Sequence, residues 1–140
     1  MVSIGSDINR IVAWTQRCSF AYHADEAAEV DALNDISCAI PQGEIAILCG
    51  QSGKTTYTRL LNGLIPGFYS GDLQGIHMTC GIRAGLAPVE SYVGQVGSVF
   101  QNPKTQYFNA DSTDELAFPC ENTGMSPARI RQRVHDVAEQ

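Results

Sequence analysis

The sequence predicts an α/β fold, because strand patterns fill the chain up to Cys49 and helical patterns follow. Residues 11–14 and 18–22 are apolar and aromatic and predict two short strands. Residues 45–49 form a continuous apolar run, which is typical of a buried strand. A glycine turn then leads into a helical pattern over residues 54–62, so a strand, a turn and a helix follow one another.

A further strand is predicted by Ile36, Cys38 and Ile40, which alternate with polar or small residues as in a half-buried strand. Residues 41–43, Pro-Gln-Gly, predict the turn that follows it. The acidic, alanine-rich stretch of residues 23–32 is interpreted as a loop between strands.

Glycine and proline mark the boundaries after the first helix. Gly63 is expected to end that helix in a left-handed conformation, and residues 66–67, Pro-Gly, begin a loop. Glycines break any period across residues 68–90, which predicts short strands and turns there. Residues 93–100 predict another strand, and Asn102 before a proline predicts an extended or turning backbone.

Two helices are predicted in the last third. Residues 112–115 have the spacing of a capping box and open a short helix in which Pro119 fits poorly. Ser126 followed by Pro127 starts the last helix well. Its apolar face is expected to consist of Ile130, Val134, Val137 and Ala138. Because this pattern reaches residue 140 without a stop signal, we expect the chain to be truncated at its C-terminus.

The composition of the chain argues against several classes of protein. The chain has 140 residues, 44% of them hydrophobic and 17% charged, which predicts one globular domain or part of one. A net charge of −6 without any basic run argues against a nucleic-acid partner. Aliphatic runs of about five residues are far shorter than the roughly 20 that span a bilayer, and we expect neither a membrane span nor a secretion signal.

The cysteines and histidines do not form a recognisable metal or disulfide framework. Five widely spaced cysteines suit a reduced, cytosolic protein, and we interpret them as small buried apolar residues. The three histidines are equally scattered and are interpreted as surface or packing residues.

Residues 50–56 form the motif GQSGKTT, in which a glycine turn precedes Lys54 and Thr55. Glycines let consecutive backbone N–H groups surround phosphate oxygens, and the following helix points its positive end at them. The lysine adds a mobile charge, and the next hydroxyl can bind Mg²⁺. The motif therefore predicts a site for a nucleoside triphosphate.

This loop is shorter than the general pattern. Only Gln51 and Ser52 separate Gly50 from Gly53, whereas G-x-x-x-x-G-K-[ST] has four residues between its glycines. Two residues of the phosphate cradle are therefore missing.

The chain resembles the N-terminal half of an ABC transporter ATPase. Four blocks match in the family's order and together span most of the chain, namely residues 18–22, 33–37, 40–44 and 96–103. Three more blocks are similar to the energy-coupling factor branch, whose ATPases drive uptake of vitamins or transition-metal ions, namely residues 60–66, 105–108 and 114–118. The resemblance implies an α/β P-loop NTPase core with an antiparallel β region built from the N-terminal strands. Residues 1–140 would then be a partial domain that ends after the glutamine loop and the start of the helical region.

The resemblance also implies roles for the matching residues. Tyr22 would stack on adenine, Lys54 would neutralise the β- and γ-phosphates, and Thr55 would bind Mg²⁺. Gln101 would be the catalytic glutamine that reaches Mg²⁺ and the attacking water. The nucleotide-binding set is Tyr22, Gly50, Gln51, Ser52, Gly53, Lys54, Thr55 and Thr56, and the metal ligands are Thr55 and Gln101. Without the matching blocks around them, Tyr22 would be interpreted as an ordinary strand aromatic and Gln101 as a solvated turn residue.

The implied ligands are ATP and Mg²⁺, and the implied partners are a second ATP-binding subunit, identical or not, and transmembrane transporter subunits. These partners would hold the chain on the cytoplasmic face of the membrane. The family's glutamate base, its Ser-Gly-Gly-Gln string and its switch histidine do not occur before Gln140, so we expect negligible ATPase activity from this chain alone. Asp114 and Glu115 are explained by the dipole of their helix rather than by catalysis.

Two alternatives remain open. The short loop and the open C-terminus favour a degenerate chain that keeps the fold and some partner contacts without catalysis. An unrelated small P-loop kinase also needs a strand, a loop and a helix, but the blocks around Tyr22 and Gln101 have no reason to occur together in a kinase.

Overall fold

The computed structural model describes residues 10–23, 30–102, 104 and 106–139. The chain divides into two compact units, one ending at Val96 and the other beginning at Gly97. The first contains a β-sheet and the helix after the glycine loop, and the second contains two helices. The assignment of the whole chain to one partial domain stays a prediction.

The first unit is built on a four-stranded antiparallel sheet with the strand order β2-β1-β3-β4. The strands are β1 (Ile11–Tyr22), β2 (Val30–Pro41), β3 (Gly71–Thr79) and β4 (Ile82–Arg83). Tyr22, the last residue of β1, pairs with Val30 on one side and Gly71 on the other. The predicted antiparallel β region is thereby confirmed.

β1 is one strand where the sequence predicts two. Its buried positions are Ala13 and Thr15 in the first half and Cys18 and Phe20 in the second, so the alternation changes phase between them. Arg17 lies at this point with a φ of 45°, and the pairing with both neighbours is shifted there. A bulge of this kind inserts an extra residue without ending the strand, which is why the pattern resembles two strands.

β2 confirms the predicted alternation at Ile36, Cys38 and Ile40, which are half-buried, and residues 42–43 form the predicted turn. The strand begins at Val30, so it includes the last three residues of the loop predicted over residues 23–32. Residues 24–29 of that loop lie outside the described residues.

The helix after the glycine loop is confirmed closely. α1 spans Lys54–Leu61, and Gly63 has the left-handed φ of 77° expected at a helix end. A short helical segment, α2 (Leu64–Gly67), follows where a loop is predicted. α1 and α2 pack on the sheet around a core of buried residues, namely Cys18, Phe20, Leu33, Tyr57, Leu60, Ile65 and Ala84.

Two predicted strands are wrong. Residues 45–49 have no regular secondary structure, and their Ile45 and Ile47 side chains are 95% and 84% exposed. Residues 93–100 likewise lack strand structure, and Val99 is 89% exposed. A strand forms only when its backbone groups pair with a neighbouring strand, and in the described part of the chain all strand pairing is antiparallel and involves β1 to β4. An apolar pattern alone was therefore not enough to predict a strand in these two segments.

The prediction of short strands and turns over residues 68–90 is confirmed only in part. The two-residue strand β4 and the turns beside it fit the prediction, whereas β3 is a regular strand of nine residues. Gly71 and Gly75 allow the backbone of β1 to approach, since a Cβ at either position would lie within 2.2 Å of a carbonyl oxygen of Ala21 or Arg17. These glycines serve close strand contact, whereas the sequence suggests turns. A 3₁₀ turn, Val89–Tyr92, follows β4.

The second unit contains α3 (Ser112–Asn122) and α4 (Pro127–Ala138), which contact each other. The predicted capping box is wrong, because the N-cap is Asp111, whose Oδ1 accepts a hydrogen bond from the Asp114 amide at 2.9 Å. Pro127 is the first residue of α4, as predicted. On its expected apolar face Ile130 and Val134 are half-buried, and Val137 and Ala138 are exposed.

Candidate functional site: the glycine loop and the first helix

The glycine loop meets α1 at Gly53, which is the N-cap residue and has a φ of 82°. No side chain caps this helix end, and its first turn carries no acidic residue. A Cβ on Gly53 would lie 2.8 Å from the carbonyl oxygen of Ala32, so the loop passes directly against β2. Left-handed backbone and close contact both require glycine here.

The first turn of α1 has the electrostatics of an anion site. The N–H groups of Lys54, Thr55 and Thr56 have no carbonyl acceptor within the helix, and the helix dipole adds partial positive charge at this end. The Lys54 ammonium donates to the Gly50 carbonyl across the loop. A lysine ammonium has three N–H donors, so this bond leaves donors for an anion at the helix end.

Loop residues also border a cavity of about 450 Å³. Ser52, Gly53 and Lys54 form one side of it, and β2 residues such as Leu33 and Asn34 form the other. A volume of this size falls in the range of small-molecule sites. Gln51, Ser52 and Thr55 are exposed, as ligand contacts require.

Tyr22 does not line this cavity but lies beside α1, where hydrogen bonds hold its hydroxyl. Its hydroxyl donates to Thr56 Oγ1 at 3.2 Å and accepts from Arg59 Nη1 at 3.1 Å. Its ring is perpendicular to the rings of Phe20 and Tyr69, with centroids 4.8 and 6.3 Å away. The structure therefore joins Tyr22 to the helix that starts at Lys54.

Sequence reasoning missed Arg59 and Tyr69. The Arg59 guanidinium lies 4.0 Å from the centroid of the Tyr69 ring, in the geometry of a cation–π contact. One signal was available, because Arg59 follows Thr56 by three residues and therefore shares its face of α1. Nothing in the pattern pointed to Tyr69, since its position depends on the path of the chain after α2.

Gln101 belongs to the second unit, where it is exposed. Next to it, the Gln106 side chain accepts from the Phe100 amide at 3.1 Å and donates to the Ser98 carbonyl at 3.1 Å. These two hydrogen bonds connect the Gln106 side chain to the residues just before Gln101. Pro103, part of the turn predicted after Asn102, lies outside the described residues.

Glu115 has a structural contact in the second unit. Its Oε2 accepts from the amides of Phe108 and Asn109 at 3.0 and 2.9 Å. The Phe108 ring stacks on Phe118 with centroids 5.3 Å apart. Glu115 therefore anchors residues 108–109 to α3.

The buried core beside α1 contains groups with strongly shifted pKa values. Burial lowers the pKa of His77 to about 4, and its Nε2 lies 2.8 Å from Thr79 Oγ1. Burial, together with nearby Cys38, raises the pKa of the Cys18 thiol to about 11. Burial also raises the pKa of Tyr57, whose hydroxyl lies 2.9 Å from Cys38 Sγ. These groups are uncharged packing residues at neutral pH.

The histidines are surface or packing residues as predicted, whereas the cysteines fit their predicted class only in part. All five cysteines are free, and Cys18 is buried, but Cys49 and Cys80 are exposed, contrary to prediction. His77 is a packing histidine, whereas His23 is exposed and lies 3.2 Å from Asp72. Among the described residues, no group of three or more His, Cys, Asp or Glu side chains could hold a metal ion.

Comparison with known proteins identifies the class to which this architecture is related. No protein-family model matches the chain. Homologues of the chain are ABC transporter ATP-binding proteins, and energy-coupling factor transporter ATP-binding proteins are among them.

Three relatives illustrate the match. "Putative ABC transporter ATP-binding protein" of Treponema denticola is 42% identical over 123 residues, which cover 86% of this chain and 24% of that protein. The energy-coupling factor transporter ATP-binding proteins EcfA1 of Latilactobacillus sakei and Lactobacillus johnsonii are 33% and 34% identical, covering 95% and 92% of this chain and 45% of each relative. The chain thus spans between about a quarter and a half of the length of these relatives. Within the described residues, no helix is both long and apolar enough to cross a bilayer.

Proposed function

We propose that this chain contributes the nucleotide-binding part of an ATP-binding subunit of an ABC transporter, of the energy-coupling factor type. The observation that carries the proposal is the loop-to-helix junction, where Gly53 caps α1 in the left-handed conformation and Lys54 is the first helical residue. Unpaired first-turn N–H groups and a lysine favour the phosphates of a nucleotide.

The residues present fit Mg-ATP in its main features. Lys54 and the amides of residues 53–56 would hold the β- and γ-phosphates, the exposed Thr55 would bind Mg²⁺, and the half-buried Tyr22 would stack on the base. Gln101 would act as the catalytic glutamine and second metal ligand. When bound, Mg-ATP supplies the phosphoanhydride whose hydrolysis powers transport.

The short loop lowers the expected affinity. Two missing residues remove two amide donors, each worth about 1.5 to 3 kcal/mol toward a charged acceptor. Binding should therefore be on the order of 100- to 10,000-fold weaker than with a complete loop.

Partners and cargo follow from the class of the relatives. We infer a second ATP-binding subunit, identical or different, and transmembrane subunits that hold the chain on the cytoplasmic face of the membrane. The cargo would be a vitamin or a metal ion. The chain by itself should show negligible hydrolysis, because residues 10–139 include neither the family's glutamate base nor its partner-closing string.

Isothermal titration with Mg-ATP tests the nucleotide site. We expect weak binding by the chain and none detectable after Lys54→Ala, because the lysine is the one mobile cation of the loop. Arg83→Ala removes an exposed positive charge from β4 and is the matched control, which should leave binding unchanged. Equal affinity of the chain and the Lys54→Ala variant would contradict the proposal.

The second candidate function is a noncatalytic chain that keeps the fold, and the shortened loop favours it. Inserting Ser and Gly after Gly53 gives GQSGSGKTT, which restores the general loop length and keeps a glycine directly before the lysine. A gain in Mg-ATP affinity would support a nucleotide site limited by loop length. No gain would support the noncatalytic alternative.

A further inference from the structure

Tyr22 is the residue to which the proposed function assigns the base, and its side chain is held by two contacts from one helix. Thr56 and Arg59 are three residues apart on α1 and therefore lie on the same side of it. Thr56 Oγ1 accepts from the Tyr22 hydroxyl, and Arg59 Nη1 donates to it, at 3.2 and 3.1 Å. The Tyr22 hydroxyl therefore acts both as a hydrogen-bond donor and as an acceptor.

Arg59 is itself held in place. Its guanidinium lies 4.0 Å from the centroid of the Tyr69 ring, and the Tyr69 amide is bonded to the Leu64 carbonyl at 2.9 Å. A planar guanidinium can stack on an aromatic face while its edge donates hydrogen bonds, which a lysine ammonium cannot do equally well. Arg59 therefore connects the segment after α2 to the end of β1.

We propose that Arg59 is a positioning residue for the nucleobase: clamped on Tyr69, it fixes the Tyr22 hydroxyl and so sets the ring plane on which the base stacks. This inference rests on the proposed function, because it needs a base on Tyr22. Stacking on a ring held in advance avoids the cost of ordering that ring when the ligand binds. Arg59 acts through Tyr22 and touches no phosphate.

The hydrogen bond between Tyr22 and Thr56 also connects the two ends of the proposed site. Thr56 belongs to the first turn of α1, two residues after Lys54, so Tyr22 is tied to the same turn that receives phosphate. The distance between the base platform and the phosphate end of the site is therefore set by α1 rather than by the loop. This feature keeps the base platform in register although the loop is short.

The test compares a ligand with a base and one without. ATP and inorganic tripolyphosphate, each with Mg²⁺, are titrated into the chain and into the Arg59→Met and Tyr22→Phe variants. Methionine keeps an unbranched stem without a donor, and phenylalanine keeps the ring without the hydroxyl. We expect each variant to bind ATP about three- to tenfold more weakly, as the loss of one hydrogen bond predicts, and to bind tripolyphosphate as the unaltered chain does.

Two controls separate positioning from charge and from folding. Arg83→Met removes the same charge at an exposed position of β4 and should leave both ligands unaffected. The double variant should bind ATP no more weakly than Tyr22→Phe alone, because Arg59 acts through the hydroxyl that this substitution removes. Thermal unfolding of each variant, together with the tripolyphosphate affinity, shows whether it is folded, and Arg59→Lys replaces Arg59→Met if it is not.

The outcomes are distinct. Equal losses for ATP and tripolyphosphate on Arg59→Met would overturn the positioning role, because Arg59 would then act as a general charge. Unchanged ATP affinity would overturn it as well, while leaving the proposed function intact. If the unaltered chain bound neither ligand, the proposed function and this inference would both fall.

Discussion

The ring of Tyr92 lies directly against the α-carbon of Gly63, where a Cβ would come within 2.4 Å of two ring carbons. Gly63 ends the first helix with a φ of 77°, and Tyr92 is 97% buried at the end of the 3₁₀ turn. The two residues therefore fasten the segment after β4 to the end of α1. This contact links parts of the chain that are nearly 30 residues apart.

Gly63→Ala should destabilise the first unit by about 2 to 4 kcal/mol, the sum of a left-handed backbone penalty and an overpacking penalty. Urea unfolding followed by the fluorescence of Trp14, the only tryptophan, measures it. Gly81→Ala is the matched control, since Gly81 has a φ of 78° with nothing within 4 Å. Equal losses of stability in the two variants would show that the Tyr92 contact does not contribute to the effect of Gly63→Ala.

Stability should fall in acid because of His77. Burial lowers the pKa of this histidine from 6.5 to about 4 in the folded chain. Below pH 6.5 the unfolded chain binds a proton that the folded chain does not, so stability decreases as pH falls from 6.5 to 4 and then levels off. This difference in the His77 pKa between the folded and unfolded chain corresponds to about 3 kcal/mol of unfolding free energy.

The measurement for His77 compares unfolding at pH 7.5 and pH 4 in the chain and in His77→Gln, which cannot take up a proton. All other ionisable groups are the same in the two proteins, so their contributions cancel in the difference. Identical acid losses in the two proteins would contradict the assignment.

Thiol reactivity should separate the five cysteines. Cys18 is fully buried, and a pKa raised from 9.0 to about 11 means a thiolate fraction about 100-fold lower at neutral pH. Cys49 and Cys80 are exposed. Timed alkylation with iodoacetamide followed by mass spectrometry should label these two first and Cys18 last. In urea all five should react alike, and early labelling of Cys18 in the folded chain would count against its burial.

Glu115→Ala should loosen residues 108–109 without unfolding α3. Its carboxylate accepts from both of their amides, so removing it should speed hydrogen exchange at the Phe108 and Asn109 amides about 5- to 30-fold, as the loss of about 1 to 2 kcal/mol predicts. Amide exchange measured by NMR gives the rates. Glu121→Ala, at an exposed position of the same helix, is the control and should leave these amides unchanged.

Local signals explain what was predictable of the fold. The start of α1 at Lys54 and its end before Gly63 follow from hydrogen bonds within four residues and from glycine's tolerance of positive φ. The start of α4 at Pro127 has the same kind of cause. The cap of α3 was misassigned by one residue because Asp111 and Ser112 are both good caps, and only the side-chain geometry chooses between them.

The sequence by itself determined the helix that begins at Lys54 and its end before Gly63, because both depend on neighbours along the chain. Tertiary structure alone decided that residues 45–49 are not a strand, that β1 continues through Arg17, and that Arg59 bonds to Tyr22. The physical reason is that strand pairing and side-chain contacts join residues distant in sequence, and an apolar pattern states only that a segment can be buried, not against what.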